Sequence, residues 1–525
     1  MTNESAEANA LDVQHCDLCI LGAGIAGLNA LFVASQYLGK SAKVVIIDRR
    51  SGPGGMWNDV YDYCRLHLPH PAFTVGDIAW QWSKSSDYLA SGAEVKAHLV
   101  HCMDAIRGRV DLDELYGRTV TGCDEVVSQQ GTRVRIEYHS NEAPERRRVI
   151  EAKRVIRAYG FDIPTPKPLP LTSRNVISTT PERLSQGGEF EATTPIYVVG
   201  GGKTGMDTAH ALIKRTPGRS INLINGKGTV FVNRATFFPR GTRRWWDGRL
   251  LVSVFCDMAM RYDGTNEDEA FEYFRHRYGV QLDATAERFL FGVLSEEERD
   301  VIAGGLRTIV NDYLDDVVDG PNGPEIVLRN GRRIPSEPGS VFVNCTGYVV
   351  RHAHTYEPYL SQHGAILTIT PRSMIHYLSS VSAYFLTHMF CLGKLRGAPL
   401  YEFDSEAAFA KDRRVCSSAV LSLSLMNLVV LLGALPFRVF DRCGLDLDRL
   451  FPLYRRVGAI IDLKLNGKRY VAQCRKALDR VREIHGLRCG PLAAPTGQSG
   501  NAGQSPHQIG VDLRAKSQTG LQRVS

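Results

Sequence analysis

A chain of 525 residues that is 43% apolar and 23% charged has room for two or three domains with large cores, and is neither wholly disordered nor fibrous. Its net charge of +7 is modest for that length. Arginine runs such as Arg146-Arg147-Arg148 and Arg243-Arg244 read as solvated faces, and no motif points to nucleic acid.

The chain opens on an acidic stretch, Met1 to Val13, without the basic and apolar regions of a signal peptide. Twelve cysteines lie scattered without a paired framework, which fits a reducing cytoplasm. Leu18 to Leu21 is an apolar run expected to form a buried parallel strand, and Cys16 and Cys19 at or in it read as packing residues, with no metal site expected. Gly22-Ala23-Gly24-Ile25-Ala26-Gly27 then gives the G-x-G-x-x-G spacing, and the breaker-free sequence from Leu28 predicts a helix. In this pattern the first glycine makes a tight turn, the second lets backbone approach a pyrophosphate, and the third lets helix pack on strand. The diphosphate would rest on the helix N-terminus, where free N–H groups and the dipole favour negative charge. A second strand, Val44 to Ile47, ends at Asp48, placed to accept ribose hydroxyls, with Arg49 next to it among the expected cofactor contacts.

The Gly54-Gly55-Met56-Trp57 turn leaves that strand where backbone can close over a bound cofactor. Arg65, His67 and His70 follow as candidates to face a substrate or ring system, while Trp80 and Trp82 are expected to pack. Between residues 119 and 158 the pattern becomes short alternating strands: Thr132 to Tyr138, a loop from Asn141 to Arg146, a strand resuming at Arg148, and Arg154 to Ala158 running into Gly160. Pro164, Pro166, Pro168 and Pro170 read as a crossover between domains.

The theme then repeats. Ile196 to Val199 leads into Gly200-Gly201-Gly202-Lys203-Thr204-Gly205 and a helix through Ile213, followed by a strand, Ile221 to Ile224. A triphosphatase loop is excluded, because it needs glycine where Tyr197 stands; Lys203 and Thr204 are expected to touch a dinucleotide. The acid after this second unit is missing. Asn225, Gly226 and Lys227 stand there, with Arg234 beyond, so a 2′-phosphate would be attracted and NADPH is expected over NADH. A hairpin at Asn330-Gly331 and a strand from Val341 run into Thr346-Gly347-Tyr348. Both halves thus read as fingerprint, meander, strand, glycine.

Of the remainder, Met374 to Leu395 (Tyr377, Tyr384, Phe385, His388, Phe390) is expected in the core or lining a pocket. Residues 416–437 carry no charge and are long enough to span a bilayer, but serines, Asn427, Gly433 and Pro436 dilute them; a core helix is favoured over peripheral membrane contact. Leu450 to Ile484 is basic and helix-prone, and the sequence after Gly490 reads as a disordered tail.

The paired fingerprints, the Gly-Gly-Met-Trp turn and the closing Thr-Gly-Tyr resemble class B flavoprotein monooxygenases, which include the flavin-containing and Baeyer–Villiger monooxygenases, over roughly residues 15 to 350. The resemblance implies an α/β fold of two Rossmann-like domains, an FAD domain (15–185 and 345–489) with an NADPH domain (186–344) inserted, each with a small β-meander, plus a helical C-terminal region, between a flexible start (1–14) and a tail (490–525). It implies that Gly22, Ala23, Gly24, Gly27, Asp48 and Arg49 hold the FAD adenosine diphosphate, that Gly55, Met56 and Trp57 approach the flavin, and that Gly160 and Gly347 mark the domain crossings. Gly200, Gly202, Lys203, Thr204, Gly205 and Lys227 would bind NADPH. The implied chemistry is monooxygenation of a small organic substrate by molecular oxygen through a flavin C4a-(hydro)peroxide, with Arg65 and His67 the candidate catalytic residues. Asn175 to Leu184 departs from the family's pattern: it has neither the glycine nor the histidine of the Phe-x-Gly fingerprint. A reductase without oxygen insertion and a non-catalytic flavin-binding protein stay open. A disulfide reductase is disfavoured, since Cys64 stands alone after the first loop.

Overall fold

The computed structural model describes residues 13–160, 166–185, 193–347 and 355–492. A first βαβ unit consists of β1 (Val13–Leu21), α1 (Ile25–Ala34) and β2 (Lys43–Asp48), and α2 (Gly92–Arg107) crosses to β3 (Asp111–Tyr116). A meander follows: β4 (Arg118–Ser128), β5 (Gly131–Ser140) and β6 (Ala143–Arg157). The sheet runs β3-β2-β1-β6-β5-β4. Where a loop and two strands were expected after Asn141, β6 is one continuous strand. Its first half projects beyond the parallel strands and pairs only with β5, through Ala143, Arg147 and Arg148 with a break in register between them, so its glutamate and arginines stay solvated.

The second unit begins earlier than residue 186. β7 (Ile177–Thr179) and α3 (Pro181–Ser185) come from the stretch that lacks the family fingerprint, and β7 is the edge strand of the second sheet, parallel to its last strand. β8 (Ile196–Val199), α4 (Lys203–Arg215) and β9 (Ile221–Ile224) repeat the βαβ unit. Next come β10 (Thr229–Asn233), α5 (Arg234–Phe237), α6 (Leu251–Arg261), α7 (Glu267–Tyr278), β11 (Gly279–Val280), β12 (Arg288–Leu294), α8 (Glu296–Gly305) and β13 (Thr308–Val310). A second meander, β14 (Leu314–Gly320), β15 (Gly323–Leu328) and β16 (Arg333–Pro335), precedes β17 (Val341–Asn344). The second sheet has the order β13-β9-β8-β17-β7.

β18 (Ile366–Thr368) returns the chain to the first sheet, parallel to β6. α9 (Ser379–Cys391) packs on α1 through buried Ala383, Tyr384, Leu386 and Met389. β19 (Tyr401–Phe403), α10 (Ser405–Lys411), α11 (Arg413–Ala434), α12 (Phe437–Asp441), α13 (Leu453–His485) and β20 (Cys489–Pro491) complete the chain. β20 pairs with β19, so Gly490 and Pro491 of the expected tail lie in a strand; residues 493–525, like Tyr348 and Pro164, lie outside the described residues. α11 is long and apolar enough to cross a membrane, but 78% of its apolar window is buried against protein. It is the centre of a helical layer with α6, α7 and α13, which share one apolar core.

Candidate functional site

The two glycine loops have one design. Gly22 leaves β1 with φ +107°, and a Cβ there would stand 2.6 Å from the carbonyl oxygen of Ala158, at the end of β6. Gly27 has less room: its Cβ would fall 1.8 Å from Gly22 O. Gly24 caps α1 with no side-chain cap, and the first turn holds no acid, so the helix's first N–H groups stay open to an anion. Asp48 is buried and fastens the loop from the next strand: one carboxylate oxygen accepts the Ala23 N–H (2.7 Å), the other the Arg50 N–H (2.8 Å). A carboxylate has about four lone-pair positions, so ribose hydroxyls could still be accepted.

The turn after β2 folds back onto this loop. Gly54 N–H donates to Ala23 O (2.9 Å), and a Cβ on Gly55 (φ +57°) would stand 2.8 Å from Gly24 Cα. The close approach at Gly24 is thus made in part by protein backbone. Met56 is exposed, and Trp57 packs edge-on against Phe73 with centroids 5.6 Å apart. Arg49 follows Asp48, and its carbonyl accepts Asn141 Nδ2 at 2.7 Å. Gly160 (φ +60°) leaves β6 beside the start of α9, where its Cβ would meet Ser379 Oγ at 3.7 Å.

In the second loop Gly200 (φ +121°) would clash at 2.8 Å with Cys345 O, past the end of β17, and Gly205 at 1.9 Å with Gly200 O. Gly202 caps α4 without a side-chain cap, and again the first turn has no acid. Gly347 has φ +81° and follows Thr346, which is held by Asn344. Gly201, which the fingerprint leaves free, is also required: its Cβ would lie 2.1 Å from Asn225 Oδ1. Asn225, standing where the first unit has its acid, is buried against this glycine and reaches Asn311 Oδ1 at 3.3 Å.

Lys203 pairs with Asp207 one turn along α4, and burial pushes the Asp207 carboxyl up. The segment after the Gly-Gly turn crosses this helix. Tyr61 OH donates to Asp207 (3.4 Å), the Tyr63 hydroxyl lies 3.0 Å from Thr208 Oγ1, and Asp62 pairs with Arg215 (3.1 Å). Thr204 is half-buried at the first turn. Lys227 pairs with Glu287 at 2.8 Å, both half-exposed. Arg234 is not open to a phosphate: it is buried, paired with Glu298 (3.0 Å), and donates to His67 O (2.9 Å).

Arg65 and His67 are not brought together. Arg65 is exposed, donates to Leu89 O (3.0 Å), and lies over the Tyr88 ring. His67 sits among Lys203, Arg234 and Glu298 beside the second loop, where burial first and the two cations next hold its imidazole well below the usual range and so neutral. His70 packs edge-on against the stacked pair Trp80 and Trp82.

The structure adds a site that pattern reading reached only in part. His376 and Tyr377, just before α9, line a cleft at Gly160 and also a cavity of about 180 Å³. That cavity is walled by Phe255, Phe385, Phe440 and Leu463, with Asp446 and Asp448 among its polar groups. Asp448 accepts Leu251 N–H (2.5 Å) and Val252 N–H (3.1 Å) at the start of α6; Asp446 pairs with Arg456 (3.3 Å). Burial, then the neighbouring Asp446 charge, pushes the Asp448 carboxyl up to about 7. Burial lowers His376 to about 3, and its Nδ1 accepts the Leu378 N–H at 3.1 Å, which leaves the proton of the neutral ring on Nε2. Tyr384, His388 and Phe390 are buried in α9 as core, whereas Phe385, also buried there, lines the cavity. The Asp-x-Asp at 446–448 was the available sequence signal.

All twelve cysteines are free, and burial pushes the Cys64 thiol up to about 12, so no dithiol stands at the first loop. Among the described residues no cluster of His, Cys, Asp or Glu could hold a metal.

Residues 16–236 match the family model described as pyridine nucleotide-disulphide oxidoreductase, a span that takes in both glycine loops. Uncharacterized protein Rv2000 of Mycobacterium tuberculosis (strain ATCC 25618 / H37Rv) is 28% identical over 251 residues, covering 43% of this chain and 41% of its own. Uncharacterized protein Mb2023 of Mycobacterium bovis gives the same figures, 28% over 251 residues. The chain thus spans about two fifths of the length of the curated relatives it matches. Among solved structures, a cyclohexanone-bound cyclohexanone monooxygenase aligns over 80% of this chain and 98% of its own, at 13% identity and TM-score 0.49. A flavin-containing monooxygenase from Stenotrophomonas maltophilia aligns over 72% and 98%, at 16% identity and TM-score 0.42.

Proposed function

We propose that this chain is an FAD-dependent, NADPH-consuming oxidoreductase that oxygenates a small, largely apolar organic molecule. The observation that carries the reading is the pair of open helix N-termini, at Gly24 and Gly202, each behind a glycine whose Cβ would strike the backbone just past the end of the neighbouring strand. Both cradles fit a dinucleotide diphosphate. Gly22, Ala23, Gly24 and Gly27 would seat the FAD diphosphate, Asp48 its ribose, and Gly55 to Trp57 would cover it. Gly200, Gly202, Thr204 and Gly205 would seat that of NADPH. Lys203 supplies positive charge at the cradle, and Lys227, its Glu287 partner half-exposed, is available to a 2′-phosphate. When bound, the flavin would accept hydride from NADPH and activate oxygen.

The chain's own contribution is to orient and to exclude water. The apolar walls of the 180 Å³ cavity would hold the substrate, and His376, in its lining and with Nδ1 occupied by the Leu378 N–H, would be a donor there through Nε2. The cavity is comparable to one of about 150 Å³ that admits benzene, which sets the scale of the substrate's buried part. Arg65, turned onto Tyr88, is the weaker of the two sequence candidates, and His67 is better read as a neutral neighbour of the NADPH cradle.

A second reading has one observation in its favour. The stretch that would carry the monooxygenase fingerprint is spent on β7 and α3, which suits a reductase without oxygen insertion. One experiment separates them. The purified protein is mixed with NADPH without oxygen, flavin bleaching is followed, and oxygen is then admitted with candidate cyclic ketones, sulfides and amines. Oxygenated product equal to NADPH consumed supports the monooxygenase; hydrogen peroxide in equal amount supports the reductase. A colourless protein that takes up no flavin sinks both.

A further inference from the structure

The N-terminal half of α13 turns an apolar stripe to solvent. Leu453, Val457, Ile461 and Leu465 recur every four residues with Tyr454 beside them, and Leu453 and Leu465 are 69% and 77% exposed. The helix already buries Leu463, Cys474, Leu478 and Val481 against the helical layer, so the stripe is a second apolar face, not the core face misplaced. Trp245 and Trp246, also exposed, join it. Trp245 stacks on Tyr454 with centroids 6.2 Å apart, and the Tyr454 hydroxyl donates to Trp245 O. Arg455 donates to Arg244 O (3.2 Å) and Gly248 O (2.9 Å), which pins the tryptophan segment to the helix.

Beyond the stripe the exposed side of α13 becomes basic: Lys464, Lys468, Arg469, Arg475 and Lys476 are exposed with no exposed acid among them. Among the described residues, Lys464, Lys468, Arg469 and Lys476 have no ion-pair partner. Asp462 is half-buried and engaged by Asn466 and Tyr470, both at 2.7 Å.

We propose that this face docks on an anionic lipid surface. Aliphatic side chains along one stripe, tryptophan and tyrosine at its edge and a run of unpaired cations are the three features by which a helix lies in a membrane interface. A second copy of the chain fits less well. An isologous pairing through the stripe would cover its apolar residues but leave the adjoining basic run without a counter-charge, whereas an anionic surface meets both. Phe437, 62% exposed, also lines the 180 Å³ cavity, whose wall includes Ile460 of α13. Docking therefore places that cavity next to the lipid. On the proposed function, the substrate would be an apolar molecule drawn from the bilayer; the docking itself does not depend on that reading.

The test is co-sedimentation of the full-length protein with phosphatidylcholine vesicles, with and without phosphatidylglycerol, at low and high salt, followed by protein staining so that flavin content does not enter. Binding is expected to the phosphatidylglycerol vesicles and to weaken with salt. The triple variants Leu453→Ser/Ile461→Ser/Leu465→Ser and Lys464→Glu/Lys468→Glu/Arg469→Glu alter exposed positions and should each weaken it at least tenfold with an unchanged melting temperature. Failure of the wild-type protein to sediment with the anionic vesicles would overturn the proposal. So would binding by both variants at the wild-type level, or light scattering that shows a dimer made monomeric by the leucine and isoleucine changes.

Discussion

Gly27 shows how little choice a single residue can have. A Cβ at this position would stand 1.8 Å from Gly22 O, and the obstacle is backbone, so relief means lifting α1 off β1. Gly27→Ala should lower stability by roughly 1–3 kcal/mol and strip the flavin, read as the melting temperature and as the absorbance that survives gel filtration. Flavin retained at wild-type content would remove Gly27 from the cradle. Buried histidines make a second residue-scale expectation. Burial, and then His101 and His70, hold His98 at about 3, whereas its unfolded value is near 6.5. Below pH 6.5 the unfolded chain therefore binds a proton that the folded chain refuses. The stability this protects is complete above pH 6.5 and falls as pH drops towards 3, by about 1.4 kcal/mol per unit. His98→Asn should flatten the decline of urea-unfolding free energy between pH 6 and 5 by about that slope. An unchanged slope would mean that His98 titrates normally in the fold.

At the scale of elements, α11 illustrates how composition and context part company. Its length and hydropathy suit a bilayer, yet its polar groups have protein partners. Asn427 Oδ1 accepts Tyr401 N–H (3.0 Å), and Nδ2 donates to Ile375 O and Tyr401 O, both at 2.8 Å. Ser424 Oγ accepts Tyr377 N–H at 3.1 Å, which ties α11 to the wall of the cavity. Asn427→Leu keeps the helix and its apolar volume but strands three buried backbone groups, so the cost should reach at least about 2 kcal/mol, measured as the urea midpoint at constant slope. A midpoint within error of wild type would show that the strand at Tyr401 finds other partners. The same layer explains why α6 and α7, inside the range expected for the NADPH domain, pack with α11 and α13: their apolar faces complete a core that α11 alone cannot close.

Over the whole molecule, function depends on how the two sheets are held together. The clamp is short: Tyr61 on Asp207, Tyr63 on Thr208 and Asp62 on Arg215, all from the segment that follows the Gly-Gly turn. Asp62→Ala with Tyr63→Phe should leave flavin content unchanged, since neither side chain touches the first loop, and slow bleaching by NADPH roughly ten- to a hundredfold through misalignment. Stopped-flow absorbance decides it, and an unchanged rate would mean the domains are aligned elsewhere. Cofactor choice also rests on a long-range contact, since Lys227 in the loop after β9 meets Glu287 just before β12. Glu287→Gln frees Lys227 and should raise kcat/KM for NADPH over that for NADH by several-fold; no change in the ratio would detach Lys227 from the 2′-phosphate.

Much of this is legible in the sequence, and for a local reason. A glycine loop, its strand and its helix are specified within about thirty residues, so both glycine loops, the hairpin at Asn330-Gly331 and most of both meanders follow from spacing and alternation alone. The first half of β6 escaped because a strand satisfied only by β5 needs no apolar face. The domain edge at β7 escaped because three residues carry no periodicity, and only β17 gives them a place. Arg234 looked free until Glu298, distant in sequence, was brought against it, and Asp446 and Asp448 took on meaning only beside His376 and Tyr377. Short-range chemistry is written in consecutive residues, whereas which charge is neutralised and which helix face remains open are settled by contacts across hundreds of residues, which only the folded chain makes.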